Sequence, residues 1–277
     1  MRTIIVATDY SATANNALEF GANMARIFKA ELILFNVYHL DVHVRNALVT
    51  PDAIDNMIEN NEIHVKQLAA ETAERYGLSV STVIEMIDTV EALENYAATS
   101  RADLIVMGMD SNLTEYKLFG NTTTAAVRRL KCPLLVVPNN VAFKGIKKVL
   151  YACEHTFLTE DNHLDMLKEI TRKFDADLQI FHVETKEKSL TPSNVSDQIA
   201  AIDNLMENVS HTYSFAENPS IIEGITKHVK DWQPDLLVMV PHRTSFWELL
   251  LKGSTTREMT LKTRVPLLVL PNHCPTH

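Results

Sequence analysis

Short apolar runs alternate along the whole chain with longer stretches of helical hydrophobic period. The runs 2–8, 31–38, 79–86, 103–108 and 133–137 are rich in Ile, Val and Leu, and the stretches between them, 12–28, 52–76, 89–99 and 121–130, carry the i, i+3, i+4, i+7 pattern. In the first such stretch Ala14, Ala17, Leu18, Gly21, Ala25 and Phe28 form one apolar stripe, and Ser11 and Thr13 stand where a helix wants its N-cap. In the second, Ile54, Ile58, Val65, Leu68, Thr72 and Tyr76 recur at helical spacing from about Pro51. Leu104-Ile-Val-Met107 is apolar at every position, as a parallel strand covered on both faces must be. Strands alternating with helices predict an α/β fold with an open, doubly wound parallel sheet.

The pattern then repeats. Residues 133–140 read Pro-Leu-Leu-Val-Val-Pro-Asn-Asn and 266–273 read Pro-Leu-Leu-Val-Leu-Pro-Asn-His. Ala102-Asp-Leu-Ile-Val-Met matches Pro234-Asp-Leu-Leu-Val-Met, and Ala30-Glu-Leu-Ile-Leu-Phe-Asn-Val matches Ala176-Asp-Leu-Gln-Ile-Phe-His-Val. The opening strand Ile4-Ile-Val-Ala-Thr-Asp aligns with Val149-Leu-Tyr-Ala-Cys-Glu. Four blocks recurring in one order predict two tandem domains, 1–140 and 145–277, each with a five-stranded parallel sheet flanked by helices. The offset between copies falls from 145–146 at the first two strands to 132–133 at the last two, so the second copy is about 13 residues shorter there. Only 195–209 remains in it for the long helix.

Charge and composition narrow the function. The net charge is −9, with 11 basic and 17 acidic residues in 1–138 and 15 and 18 in 139–277. Neither half concentrates positive potential, which argues against nucleic acid or an anionic membrane surface as partner. The N-terminal apolar run is too short for a signal peptide and Asp9 interrupts it, and no run reaches the ~18 apolar residues of a membrane span, so a cytoplasmic location is expected. Cys132, Cys153 and Cys274 are an odd number without C-x-x-C spacing, which indicates no disulfide framework. His39, Asp41 and His43 alternate, and His273 and His277 flank Cys274, but neither spacing fits a strong zinc pattern and no metal site is expected.

Ligands of an open parallel sheet sit beyond the strand carboxyl ends, near the point where strand order reverses. After the first strand come Asp9, Tyr10 and Ser11, and after the fourth a loop runs from Gly108 to Gly120, followed by Asn121 and Thr122 at a helix start. Glycine with small polar residues at a helix N-terminus offers a phosphate free N–H donors and a favourable dipole. Each residue also has a plain structural use. Asp9 could cap a helix, Gly120 and Gly253 could serve packing or a turn, and Phe246 and Trp247 could cover a closed cleft.

Val6-Ala-Thr-Asp9-Tyr-Ser11 and the glycine loop after the fourth strand resemble the universal stress protein family, twice over nearly the whole chain. The resemblance implies the adenine nucleotide alpha hydrolase-like fold. It also implies a ligand, ATP or a related adenine nucleotide with Mg, with Asp9 near the ribose, Val37 backbone flanking adenine, and Gly108, Gly120, Asn121 and Thr122 around the phosphates. Both copies depart from the family's Gly-x-x-Gly, nine residues, Gly-Ser/Thr loop. Ser111 and Asn121 break it in the first, where Asp110 adds a carboxylate; Glu154, Val240 and Arg243 break it in the second, although Gly253, Ser254 and Thr255 are intact.

There is no G-x-x-x-x-G-K-[ST], G-x-S-x-G or H-E-x-x-H motif. Two readings follow: a non-enzymatic stress-response module binding adenine nucleotide in its first domain, or a protein–protein adaptor, its partner unknown, that binds none. If one half binds, the first is expected, because Glu154 and Val240 crowd the second. If the strand order is that of the resembled family, the apolar fifth strands, Leu134-Leu-Val-Val137 and Leu267-Leu-Val-Leu270, lie at the sheet edge and are expected to pair as an intramolecular pseudo-dimer, since an exposed apolar edge invites aggregation.

Overall fold

A computed structural model describes residues 1–38, 50–110, 121–153, 164–185, 192–240 and 265–271. In the first half β1 (Thr3–Thr8), α1 (Ala12–Phe28), β2 (Glu31–Val37), α2 (Pro51–Tyr76), β3 (Val80–Glu85), α3 (Thr89–Ser100), β4 (Leu104–Met109), α4 (Asn121–Arg129) and β5 (Leu134–Pro138) follow in order. The second half contributes β6 (Lys148–Ala152), α5 (Asp165–Phe174), β7 (Asp177–Glu184), α6 (Pro192–Leu205), β8 (His211–Glu217), α7 (Ile221–Trp232), β9 (Leu236–Met239) and β10 (Leu267–Val269). Together the strands form one ten-stranded sheet in the order β3-β2-β1-β4-β5-β10-β9-β6-β7-β8. Strands pair in parallel within each half, and β5 meets β10 antiparallel.

The apolar runs of the sequence become strands because they are buried on both faces. Ile4, Val6, Leu32, Leu34, Leu104 and Val106 pack under α1 and α2, and the same layer continues through Val149, Tyr151, Leu178 and Ile180 under α5 and α6. The alternate residues Ile5, Ile33, Phe35, Ile105 and Met107 pack under α3 and α4, continuing through Leu150, Phe181 and Leu237 under α7. Each core layer thus spans both halves. Asp103 and its repeat Asp235 have matching structural uses. Asp103 accepts from the amides of Arg2 and Thr3 (2.5 and 2.9 Å), and Asp235 from those of Lys147 and Lys148 (2.8 and 3.0 Å). Each carboxylate satisfies amides at the entry of the first strand of its half.

The seam has the symmetry of a dimer. Leu134 faces Val269, Val136 faces Leu267, and Leu135 faces Leu268. Exchanging the copies turns the first pair into the second and returns the third to itself, which is an isologous, two-fold contact inside one chain. The linker reinforces it. The Asn16 amide donates to the carbonyls of Pro138 (2.8 Å) and Val141 (3.0 Å). Phe143 wedges between Phe20 and Phe174, with ring centroids 4.8 and 6.2 Å away. Phe28 also meets Phe174, and the Met1 α-amine pairs with Glu169.

The second copy's shortening falls on the helix between its second and third strands. It spans Pro192–Leu205 rather than 195–209, because the chain turns at Met206–Val209 with Asn208 in the left-handed region (φ 63°). The matching helix of the first half, α2, runs for 26 residues against 14. Among the described residues no helix is long and apolar enough to cross a membrane.

The seam buries every side chain of its paired residues. Residues 1–140 produced alone should therefore dimerise through 134–137 or precipitate, as light scattering would show. A soluble monomer at high concentration would contradict this. In the full chain, Val136→Glu places a charge at a wholly buried position, with an expected loss of about 3 kcal/mol or more in chemical denaturation.

Candidate functional site

Strand order reverses between β1 and β4, so the first half's cleft opens where their carboxyl ends part. The chain leaves β1 through a tight turn. Tyr10 adopts the left-handed region (φ 66°), and its amide donates to Thr8 Oγ1 at 3.1 Å. Asp9 Oδ1 accepts from the Ser11 amide at 3.0 Å. Ser11 Oγ in turn accepts from the Ala14 amide at 3.1 Å and is the N-cap of α1. Asp9 is therefore not the helix cap. Its carboxylate shapes the preceding turn and lies exposed at the strand end.

Behind the turn lies a buried polar chain. The Tyr10 hydroxyl donates to Asn61 Oδ1 (2.8 Å), Asn61 Nδ2 donates to Asn36 Oδ1 (2.9 Å), and Asn36 Nδ2 donates to the Thr8 carbonyl (2.9 Å). Thr8, Asn36 and Asn61 are each at most 7% exposed. Polar groups at that depth need partners, and these supply one another's. The Tyr10 ring stacks on His64 of α2, with centroids 4.2 Å apart and planes within 15°. Burial, and after it the neighbouring Tyr38, pushes the Tyr10 hydroxyl above its ordinary pKa, which keeps it protonated as a donor.

At the other side of the cleft, Gly108, the last residue but one of β4, lies against α1. A Cβ there would stand 2.5 Å from the Thr13 carbonyl oxygen and 2.8 Å from its carbon. The glycine is needed for room, so that the first turn of α1 can close onto β4. Asp110 Oδ1 accepts from Asn139 Nδ2 at 3.0 Å, which draws its carboxylate toward the linker. Val37 is half-buried at the end of β2, opposite Glu85 of β3. Thr122 is exposed in the first turn of α4, and Asn121 opens that helix. The structure thus gathers Asp9, Val37 and Gly108 at adjacent strand ends. Gly120 lies outside the described residues, as do Glu154, Phe246, Trp247, Gly253, Ser254 and Thr255, and the histidine clusters at 39–43 and 273–277. Among the described residues no three His, Cys, Asp or Glu side chains converge as a metal site.

Asn36, Asn61 and His64 did not figure among the expected site residues, and Tyr10 did so only as the neighbour of Asp9 after the first strand. Two signals mark them in the sequence. Asn36 is a polar residue within the apolar run of β2, and Asn61 falls on the α2 stripe between Ile58 and Val65.

The second half builds a different version. His182 takes the place of Asn36, and with its proton on Nδ1 it donates to the Cys153 carbonyl at 3.1 Å, the counterpart of the Asn36–Thr8 bond. Counting back from β8, the place of Asn61 falls at Pro192, the first residue of α6. Cys153, His182, Ile221, Met239 and Val240 help to line a narrow cavity of about 20 Å³ at these strand ends, enough for about one water.

The sequence model of the universal stress protein family matches residues 1–138 and again 145–271. The chain is a tandem member of the universal stress protein family. A curated universal stress protein of Synechocystis sp. is 28% identical over 144 residues, covering 50% of this chain and 85% of that protein. One from Methanocaldococcus jannaschii is 28% identical over 142 residues, covering 49% and 81%. Among solved structures, a universal stress protein from Archaeoglobus fulgidus spans 98% of both chains with a TM-score of 0.73 at 17% identity. The likeness of fold thus extends over both domains of the tandem.

Because the Gly108 requirement is one of packing, Gly108→Ala in this universal stress protein should cost about 1–3 kcal/mol with no nucleotide present. The measurement is Tm by calorimetry of the purified protein. An unchanged Tm would mean that the Thr13 contact relaxes freely.

Proposed function

We propose that this tandem universal stress protein is a non-enzymatic stress-response module whose first domain binds an adenine nucleotide, ATP or a close relative, with Mg²⁺. The observation that carries this reading is the turn after β1. It holds Asp9 exposed at the switch point, with its carboxylate fixed by the Ser11 amide. Asp9 would take the ribose hydroxyls, the backbone at Val37 would flank the adenine, and Gly108 with the loop to Gly120, Asn121 and Thr122 would meet the phosphates. The chemistry of these groups fits such a ligand. The first turn of α4 carries no acidic residue, and helix N-termini favour phosphate. Asp110, a carboxylate on the phosphate side of the expected ligand, accepts from Asn139. Carboxylate oxygen is also the donor type that Mg²⁺ takes.

A second reading, a protein–protein adaptor that binds no nucleotide, has one observation in its favour. Gly108 is accounted for by the Thr13 contact alone, so the glycine that most resembles a phosphate loop needs no phosphate to explain it.

Acid extraction of the purified protein, analysed for adenine nucleotides, and calorimetry with ATP and Mg²⁺ separate the two. On the nucleotide reading ATP binds, Asp9→Ala weakens it about tenfold or more, and Glu154→Ala leaves it unchanged. Reversed effects would transfer the site to the second domain. No bound nucleotide and no heat of binding would leave the adaptor.

A further inference from the structure

We propose that Tyr10, Asn61 and Asn36 are positioning residues for the nucleotide site of the first domain, a relay from α2 that locks the β1–α1 turn and with it the Asp9 carboxylate. The proposal rests on the nucleotide reading above and adds to it the part of the fold that sets the site's geometry.

The turn does not hold itself. A tyrosine at φ 66° occupies a region that side chains other than glycine rarely adopt, and such a conformation persists only where its surroundings over-determine it. Four contacts do so here: the Tyr10 amide on Thr8 Oγ1, its carbonyl accepting from Asn15 Nδ2 (3.3 Å), the hydroxyl on Asn61, and the ring on His64. Two of the four come from α2. Asn61 is itself oriented by Asn36, whose amide is anchored on the Thr8 carbonyl at the start of the same turn. The relay is therefore closed. It leaves β1 at Thr8, crosses β2 and α2, and returns to the chain two residues later at Tyr10. Asp9 is the one residue between those two anchors, and its Oδ1–Ser11 bond depends on the reversal that Tyr10 makes.

The relay belongs to the first half. There α2 extends ten residues ahead of Asn61, whereas α6 begins at the corresponding point. Among the described residues the second half keeps the inner bond, from His182 to the Cys153 carbonyl, and its sequence has proline at the place of Asn61. The length difference between the copies thus coincides with the presence of the relay. The ten extra residues of α2 precede Asn61 and His64, so in the first half both side chains stand inside a helix rather than in its first turn.

The test is calorimetric titration of the full chain with ATP and with 2′,3′-dideoxy-ATP, which lacks the ribose hydroxyls that Asp9 would accept from. Tyr10→Phe keeps the ring on His64 and removes the hydroxyl. It should bind ATP about five- to tenfold more weakly than the wild type, the loss of about one hydrogen bond's worth of positioning, and bind dideoxy-ATP as the wild type does. Asn61→Leu should lose the same selectivity, and combining the two should add little, because both open one relay. A relay that only stabilised the fold would lower Tm and weaken both ligands alike. That result, or wild-type ATP affinity in Tyr10→Phe, overturns the proposal while leaving nucleotide binding intact. A wild-type chain that binds ATP no better than dideoxy-ATP overturns it by removing the ribose contact, and one that binds neither overturns it together with the nucleotide reading.

Discussion

An open parallel sheet built from apolar strands ends in an edge that water solvates poorly, and the antiparallel join of β5 to β10 removes two such edges at once. Each fifth strand is apolar because it is buried on both faces, so its backbone groups cannot be left to solvent without exposing that surface as well. Antiparallel pairing about a pseudo-two-fold axis lets one sequence pattern satisfy both strands. It also makes each core layer continuous from one half into the other. The outer edges, β3 and β8, are treated differently. No residue of β3 is fully buried, and β8 alternates toward solvent, the composition of strands that tolerate an unpaired side.

Sharing a sheet frees the two clefts to diverge. The seam asks the second domain for a fifth strand, a core and the face of α5, and places no demand on its strand carboxyl ends. There the aspartate has become Glu154, the glycine has become Val240 beside a cavity of about 20 Å³, and the helix ahead of the third strand is shorter. In the first domain the same positions hold an ordered turn, a glycine at a close approach and a satisfied polar relay. Buried polar groups of this kind cost stability if any member loses its partner, and in the first domain Thr8, Asn36 and Asn61 each have one.

The repeats, the alternation of strands and helices in each half and the fifth strands as a pair were legible in the sequence because burial writes them directly, as apolar runs at fixed order and as matched Pro-Leu-Leu-Val segments. Helix ends were less legible. The α6 boundary depends on Asn208 adopting a left-handed turn, which an asparagine permits but does not announce. The site was half legible. Asp9 and Gly108 could be placed at the strand ends, Val37 followed from the family resemblance, and Ser11 was one of two candidates for the cap in the α1 turn. The relay behind it joins residues 8, 10, 36 and 61, contacts of long sequence separation that no local pattern encodes. A lone Asn inside an apolar strand signals that some partner must exist, not where it stands.

Helix α1 links the seam to the site. Its first turn carries the Ser11 cap and, at Thr13, the backbone that Gly108 admits. One turn on, Asn16 holds the linker by two carbonyls, and Phe20 packs on Phe143. At its far end Phe28 meets Phe174 of the second domain under the Lys173 ammonium. Aromatic contacts of this kind contribute about 0.5–1.5 kcal/mol each beyond the area they bury, and here they are spread along one rigid rod. Its tilt against β1 is fixed from below as well, since a side chain at Gly21 would collide with Val6 at 2.5 Å. The position of the turn that presents Asp9 is therefore set by both domains: by α2 through the relay, and by α5 and the linker through the length of α1. The second domain thus has a part in the geometry of the first domain's candidate site, because it holds the helix at whose start that turn lies.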